Sequence, residues 1–174
     1  AGRTVLGRQA IDIFFQEIPT IVNRSLYCKN LNQKQLWMHI RSVEDQDVLR
    51  ETLASRKLLA FVANGAILPR RSGVDAHPLT SEVVAFRSPP EMEVVLETPN
   101  SGTLVGMGIP EGVALIVGGG FHGKSTLLNA LELGVYNHKP GDGRERVVTQ
   151  SDAVKIRAED GRYVEKVDIS SFID

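Results

Sequence analysis

The residues best suited to chemistry form the pattern Gly118-x-x-x-x-Gly123-Lys124-Ser125. A polyphosphate held by backbone N–H groups needs positions that lack a Cβ and accept a positive φ, which explains the recurrence of glycine. In such a loop the Lys124 ammonium group reaches the β- and γ-phosphate oxygens, and the Ser125 hydroxyl ligates Mg²⁺. The spacing therefore predicts a phosphate-binding loop.

The predicted nucleotide contacts all lie in this loop and in the first turn of the helix that follows it. Lys124 is the catalytic candidate, Ser125 is the metal ligand, and Thr126 is assigned an α-phosphate contact. For His122 two interpretations stay open, because a neutral imidazole can donate to phosphate or simply occupy a variable position. The full predicted set is Gly118, Gly119, Gly120, Phe121, His122, Gly123, Lys124, Ser125 and Thr126.

The elements that must position this loop can be read from the apolar residues on either side of it. Residues 113–117 are apolar at four positions of five, which predicts a short buried strand. After the loop, Leu127, Leu128, Ala130 and Leu131 give a helix one apolar face, and Gly134 is predicted to end it. Strand, glycine-rich turn and helix are the context that this motif requires.

Composition limits the classes of protein to which the chain can belong. It has 174 residues, of which 42% are hydrophobic, and its 20 basic and 21 acidic residues leave a net charge of −1. A charge balance of this kind does not indicate a surface that binds nucleic acid or membrane. Cys28 is the single cysteine, so an intrachain disulfide and a cysteine-based zinc site are excluded and a reducing compartment is favoured. No apolar run is long enough to predict a membrane-spanning helix.

The first 79 residues are predicted to be mainly helical. Apolar residues keep a helical period over residues 9–26 on both sides of Pro19, which is predicted to open a second helix. A short helix carrying Leu36, Trp37 and Ile40 is expected next. The residues 42–45 resemble a capping box and predict a separate helix, with Val48, Leu49 and Leu53 on its buried side.

Residues 58–62 are a strand candidate by themselves. Three further short β-branched or apolar runs, over residues 83–86, 92–96 and 104–108, predict an antiparallel sheet that leads into the strand before the loop, because their connections are too short for crossover helices. A terminal hairpin is predicted over residues 154–169, with Asp160-Gly161 as its turn. The fold class is thus α+β or α/β, with a helical region over residues 1–79 and a phosphate-loop region over residues 80–174.

Two charged loops leave alternatives open. Arg70 and Arg71 either approach phosphate or belong to a solvated connector. In the loop over residues 136–145, Asp142 or Glu145 is a candidate to orient water or magnesium and Arg144 to contact phosphate, although such loops are more often connectors.

Several motifs resemble those of one protein family. The run Gly102 to Gly112, which leads into the loop, resembles the opening of ATP-binding-cassette (ABC) ATPase domains. The segments 68–75, 118–126, 133–145 and 152–161 are similar to the soluble ABC-class ATPases that lack membrane subunits. One member of that group is a trypanosome mitochondrial protein associated with RNA editing. The chain resembles the first half of such a cassette.

This resemblance implies Mg-ATP or Mg-ADP as cofactor, a head-to-tail homodimer that switches with nucleotide, and RNA as a partner. It also implies the mitochondrial matrix if the trypanosome likeness holds, and otherwise the cytoplasm. The magnesium-binding strand and signature loop of the family are not recognisable, and Asp168 is rejected as the magnesium aspartate because Glu165 and Lys166 interrupt its apolar run.

Three functions follow from these observations. The first is an ABC-class ATPase whose hydrolysis is completed by residues outside this chain. The second is a nucleotide- or RNA-binding module that does not hydrolyse nucleotide. The third is a phosphate-loop kinase for a small molecule, which the β-rich segment before the loop disfavours.

Overall fold

A computed structural model describes residues 6–156 together with residues 166, 168 and 170. The helices are α1 (Gly7–Asp12), α2 (Ile18–Ser25), α3 (Gln33–Ser55) and α4 (Lys124–Leu133). A π-helical turn (Ile13–Glu17) joins α1 to α2, and short 3-10 turns lie at Cys28–Asn30 and Pro90–Met92. The strands are β1 (Leu58–Ala63), β2 (Glu93–Thr98), β3 (Gly102–Pro110) and β4 (Val147–Thr149).

The four strands form one sheet in the order β2-β3-β1-β4, with every neighbouring pair antiparallel. Phe61 lies opposite Gly108 of β3 and Val148 of β4, so β1 is a central strand. The predicted antiparallel sheet is confirmed. The predicted strand over residues 83–86 is wrong: this segment is irregular, and only Phe86 bonds to the neighbouring backbone, at Gly65 and Ala66.

Helix α3 is a single 23-residue helix, whereas the sequence predicted two separate helices. Its N-cap is Asn32, whose side chain accepts a hydrogen bond from the Gln35 N–H at 3.1 Å. The predicted capping box at residues 42–45 is wrong, because the Asp45 carboxylate accepts from Asn100 instead. Because this tertiary contact uses the Asp45 side chain, Asp45 does not form the local capping contact with Ser42 that the sequence predicted.

The helical N-terminal part is confirmed, and Pro19 lies in the first turn of α2 as predicted. The apolar side chains of α1, the π-helical turn and α2 remain largely exposed in the described part of the chain. Phe15 is 76% exposed and Phe14 64%.

The core consists of two clusters. Helix α3 covers one with Leu49 and Leu53, both fully buried, against Phe61 and Val148 of the sheet. Helix α4 contributes Ala130 and Leu131 to the other. Neighbouring residues of β1 serve different clusters, Phe61 the first and Val62 the second, as the alternation of a strand requires. The sheet thereby fixes α4, and with it the phosphate loop, relative to α3.

The predicted regions meet within this sheet. Strand β1 precedes residue 80, and the other three strands follow it. The boundary at residues 79 and 80 stays a prediction. The predicted terminal hairpin falls mostly on residues 157–165, which lie outside the described residues; Val154 and Ile156 before it are exposed and irregular.

Candidate functional site

The glycine-rich loop lies between residues 113–117, which have no regular secondary structure, and the N-terminus of α4, where the motif predicts a helix to begin. Helix α4 begins at Lys124, and its N-cap Gly123 has a φ of 79°. Gly118 has a φ of 148° and Phe121 a φ of 62°. These positive values turn the chain sharply at three points in six residues, which glycine permits at two of them. Gly118 and Gly123 thus have the positive φ for which the glycines were predicted, whereas Gly119 and Gly120 do not.

Lys124 is folded back over the loop. Its Nζ donates to the carbonyl oxygen of Gly118 at 2.7 Å and to that of Gly119 at 2.5 Å. The ammonium group therefore lies against the backbone of the loop that leads into α4. A positive charge and helix N-terminal donors at one point make an anion-binding arrangement.

His122 lies against the first half of the loop. A Cβ placed on Gly119 would come within 3.1 Å of His122 Cε1 and 3.3 Å of Nδ1, so a side chain at position 119 would displace the imidazole. Phe121, in contrast, is fully exposed. Whether His122 donates to phosphate or occupies a variable position stays a prediction.

The predicted buried strand before the loop is wrong. Residues 113–117 form no strand, and Val113, Leu115 and Val117 are at least 80% exposed. An apolar strand of this type is buried only when other strands flank it and layers cover both faces. Among the described residues no strand pairs with this segment. Ile116 and its neighbours instead border a cavity of about 520 Å³ shared with Met107, Ile109 and Leu131.

The charged loop candidates are engaged in structural contacts. Arg70 forms an ion pair with Asp142 at 2.7 Å, and both side chains are only 13% exposed. Arg71 lies 3.8 Å from the exposed Asp75. The predictions that Arg70 and Asp142 serve phosphate, water or magnesium are therefore not supported by their placement, since each side chain already has a buried partner.

Arg144 and Glu145 are also used within the fold. Arg144 is 2% exposed, and its guanidinium donates to the Leu68 carbonyl oxygen through Nε at 3.0 Å and through Nη2. Burial, with Arg70 nearby, lowers the pKa of Arg144 to about 10, so it remains charged at neutral pH. Glu145 accepts from the Gly141 N–H. Arg144 is thus a structural cation and not a phosphate ligand.

Sequence reasoning missed the contact that attaches the loop after α4 to α3. Gln46 is fully buried, and its amide bonds to the backbone of His138. His138 Nδ1 in turn lies 2.7 Å from Asp142 Oδ2. The one signal in the sequence was the position of Gln46, three and seven residues before Leu49 and Leu53 on the same helix face.

The described residues contain no cluster of three or more His, Cys, Asp or Glu side chains able to hold a metal ion. Phe86 is partly buried against the core. Within the described ranges, no helix is both long and apolar enough to cross a membrane.

Comparison with known proteins places this geometry in a family. Residues 32–174 match the profile of the ABC_ATPase P-loop domain. The chain belongs to the ABC ATPase family. The match begins at the N-cap of α3 and includes the sheet, the phosphate loop and α4. The ABC-class resemblance inferred from the motifs is confirmed, as is the assignment to a phosphate-loop domain of α+β character.

An archaeal relative has a similar sequence. The chain is 30% identical over 122 residues to a Methanocaldococcus jannaschii protein named "Uncharacterized protein MJ1628". The aligned region is 66% of this chain and 27% of that relative. The chain thus spans about a quarter of the length of that relative.

Proposed function

We propose that the full-length protein is an ABC-class ATPase that binds Mg-ATP and Mg-ADP through residues 118–126. The observation that carries this proposal is the position of Lys124 Nζ, 2.7 and 2.5 Å from the Gly118 and Gly119 carbonyl oxygens at the start of α4. A family match that includes this loop supports the same conclusion. ABC ATPases as a family use nucleotide and magnesium.

The donor set fits a magnesium-bound polyphosphate. Lys124 would neutralise the β- and γ-phosphate oxygens, and the exposed Ser125 hydroxyl would ligate Mg²⁺. A Cβ at Gly120 or Gly123 would meet nothing within 4 Å, so open space lies beside the backbone where phosphate oxygens must approach. Bound magnesium supplies charge neutralisation of the phosphates.

The binding claim is tested by ligand-induced stabilisation of the full-length protein. At a hundred times Kd, nucleotide adds about 2.7 kcal/mol to the unfolding free energy. We expect Mg-ADP and Mg-ATP to raise the thermal midpoint of the wild type and not that of Lys124→Ala. Lys34→Ala, a change at an exposed position of α3, is the matched control and keeps the rise. An equal rise in Lys124→Ala would contradict the proposed site.

Hydrolysis is tested separately by phosphate release. If the wild type and Lys124→Ala release phosphate at the same rate while nucleotide still binds the wild type, the ATPase proposal fails. The non-hydrolysing nucleotide- or RNA-binding module then replaces it. ADP release that depends on an added metabolite would favour the kinase alternative.

We further propose that two copies of the full-length protein close head to tail on ATP. Sedimentation with a slowly hydrolysed ATP analogue should show a dimer that Lys124→Ala fails to form. RNA is the partner that the family resemblance adds. RNA binding through phosphate contacts predicts a logarithm of affinity that falls steeply with salt. Binding that is absent or independent of salt would remove RNA as a partner, and with it the link to mitochondrial RNA editing that the resemblance implies.

A further inference from the structure

A second cavity lies away from the phosphate loop. It occupies about 590 Å³ between α3, the turn after β1, the turn joining β2 to β3, and residues 140–146. Cavities that bind small molecules commonly have this size. None of the residues 118–126 lines it, so its chemistry is independent of the proposed nucleotide site.

The carboxylates of this cavity are committed to its walls. Asp45 is 5% exposed, and its Oδ1 accepts from the Asn100 backbone N–H at 2.8 Å and from the Asn100 side chain at 3.1 Å. Glu145 accepts from the Gly141 N–H. These acidic groups hold the β2–β3 turn to α3 and close the loop after α4.

The two guanidinium groups of the cavity are less engaged. Arg146 donates to Ser101 Oγ at 3.2 Å, which uses one of its five N–H donors. The Arg41 side chain makes no hydrogen bond or ion pair to any described residue, and neither arginine has an acidic partner there within ion-pair distance. Both residues are exposed and lie on different walls, Arg41 on α3 and Arg146 just before β4.

The walls are held in place by buried contacts. Gln46 joins α3 to His138. The contacts of Arg70 with Asp142 and of Arg144 with Leu68 attach the 140–146 loop to residues 68–70. A cavity whose walls are already fixed loses little conformational entropy when a ligand binds. The unused N–H donors of Arg41 and Arg146 on these fixed walls therefore favour a ligand that carries hydrogen-bond acceptors.

We propose that this cavity binds a small organic phosphate, with Arg41 and Arg146 contacting the phosphate group from opposite walls. Phosphate oxygens accept the paired N–H donors of a guanidinium group, whereas the Asp45 and Glu145 carboxylates of the same lining are hydrogen-bonded to its walls. This site is a binding site for phosphate monoesters separate from the phosphate loop.

The test uses the full-length protein carrying Lys124→Ala, so that the phosphate loop does not contribute. Ribose 5-phosphate is titrated by calorimetry, with ribose as the uncharged comparison. We expect ribose 5-phosphate to bind and ribose not to bind. Arg41→Gln and Arg146→Gln should each weaken binding about tenfold or more, because each removes a charge-assisted contact.

Arg24→Gln is the matched control, since Arg24 is an exposed residue of α2 that does not line the cavity. It should leave the affinity unchanged. Thermal midpoints equal to the parent protein establish that the cavity variants are folded. Affinity unchanged in both cavity variants, equal binding of ribose, or no binding of ribose 5-phosphate up to about ten millimolar would each overturn the proposal.

Discussion

The side-chain amide of Gln46 forms a reciprocal pair with the backbone of His138. Gln46 Nε2 donates to the His138 carbonyl oxygen at 2.9 Å, and Gln46 Oε1 accepts from the His138 N–H at 2.6 Å. The two residues are 92 positions apart. This pair attaches the loop after α4 to α3, and α3 lines the cavity proposed above.

Removing this pair should destabilise the fold. Gln46→Ala leaves the two His138 backbone groups without these partners, and we expect a loss of about 2–3 kcal/mol in the free energy of unfolding, measured by urea denaturation. Gln35→Ala is the matched control, because Gln35 is an exposed residue of the same helix that contributes only its backbone N–H to the cap. Equal losses in the two variants would contradict the role assigned to Gln46.

The ion pair of Arg70 and Asp142 predicts a larger loss. Asp142→Ala leaves the Arg70 guanidinium group, whose side chain is 13% exposed, without its carboxylate partner. It also removes the partner of His138 Nδ1. We expect about 3–5 kcal/mol less unfolding free energy, since breaking a buried pair leaves an uncompensated charge. Asp12→Ala, at an exposed position of α1, should change little. A loss in Asp142→Ala no greater than that of the control would show that the pair does not hold the loop.

Close approach of β1 and β3 predicts that position 106 accepts only glycine. A Cβ on Gly106 would lie 2.6 Å from Ala63 Cα and 2.9 Å from Phe61 Cζ, and it would also collide with the Val62 carbonyl oxygen. Gly106→Ala should therefore reduce the unfolding free energy by about 3 kcal/mol or more. Gly73→Ala, where a Cβ meets nothing within 4 Å, serves as control. If both variants melt like the wild type, the described strand register is wrong.

Asp75 should titrate at lower pH than an ordinary aspartate. The His77 backbone N–H, followed by the His77 imidazole, holds the pKa of Asp75 below 3.8. Because the folded pKa is depressed, the stabilising effect is present above the unfolded pKa and is lost as pH falls through the folded pKa. The ¹³C shift of the Asp75 carboxyl carbon, followed against pH, measures the midpoint.

A companion variant separates the two contacts of His77. His77→Ala keeps the backbone N–H at 2.9 Å and removes the imidazole at 2.6 Å, so the Asp75 pKa should rise only part of the way to 3.8. A wild-type midpoint at or above 3.8, or no rise in His77→Ala, would contradict this assignment.

The sequence by itself determined the elements whose cause is local. Glycines and Lys124 at fixed spacing predicted the loop and the start of α4, since backbone freedom and helix N-terminal donors are properties of a few adjacent residues. Helical periodicity placed the N-terminal helices, and short β-branched runs placed β1, β2 and β3. The family resemblance followed from the same contiguous motifs.

Tertiary structure decided what depends on partners distant in the chain. Asp45 bonds to Asn100 rather than starting a helix, so α3 continues through residues 42–45. The loop charges at Arg70, Asp142 and Arg144 satisfy one another and Leu68 instead of facing a ligand. Residues 113–117 have the composition of a buried strand, but no described strand pairs with them. Burial of a strand depends on the strands and helices that flank it, and the composition of the segment does not reveal these.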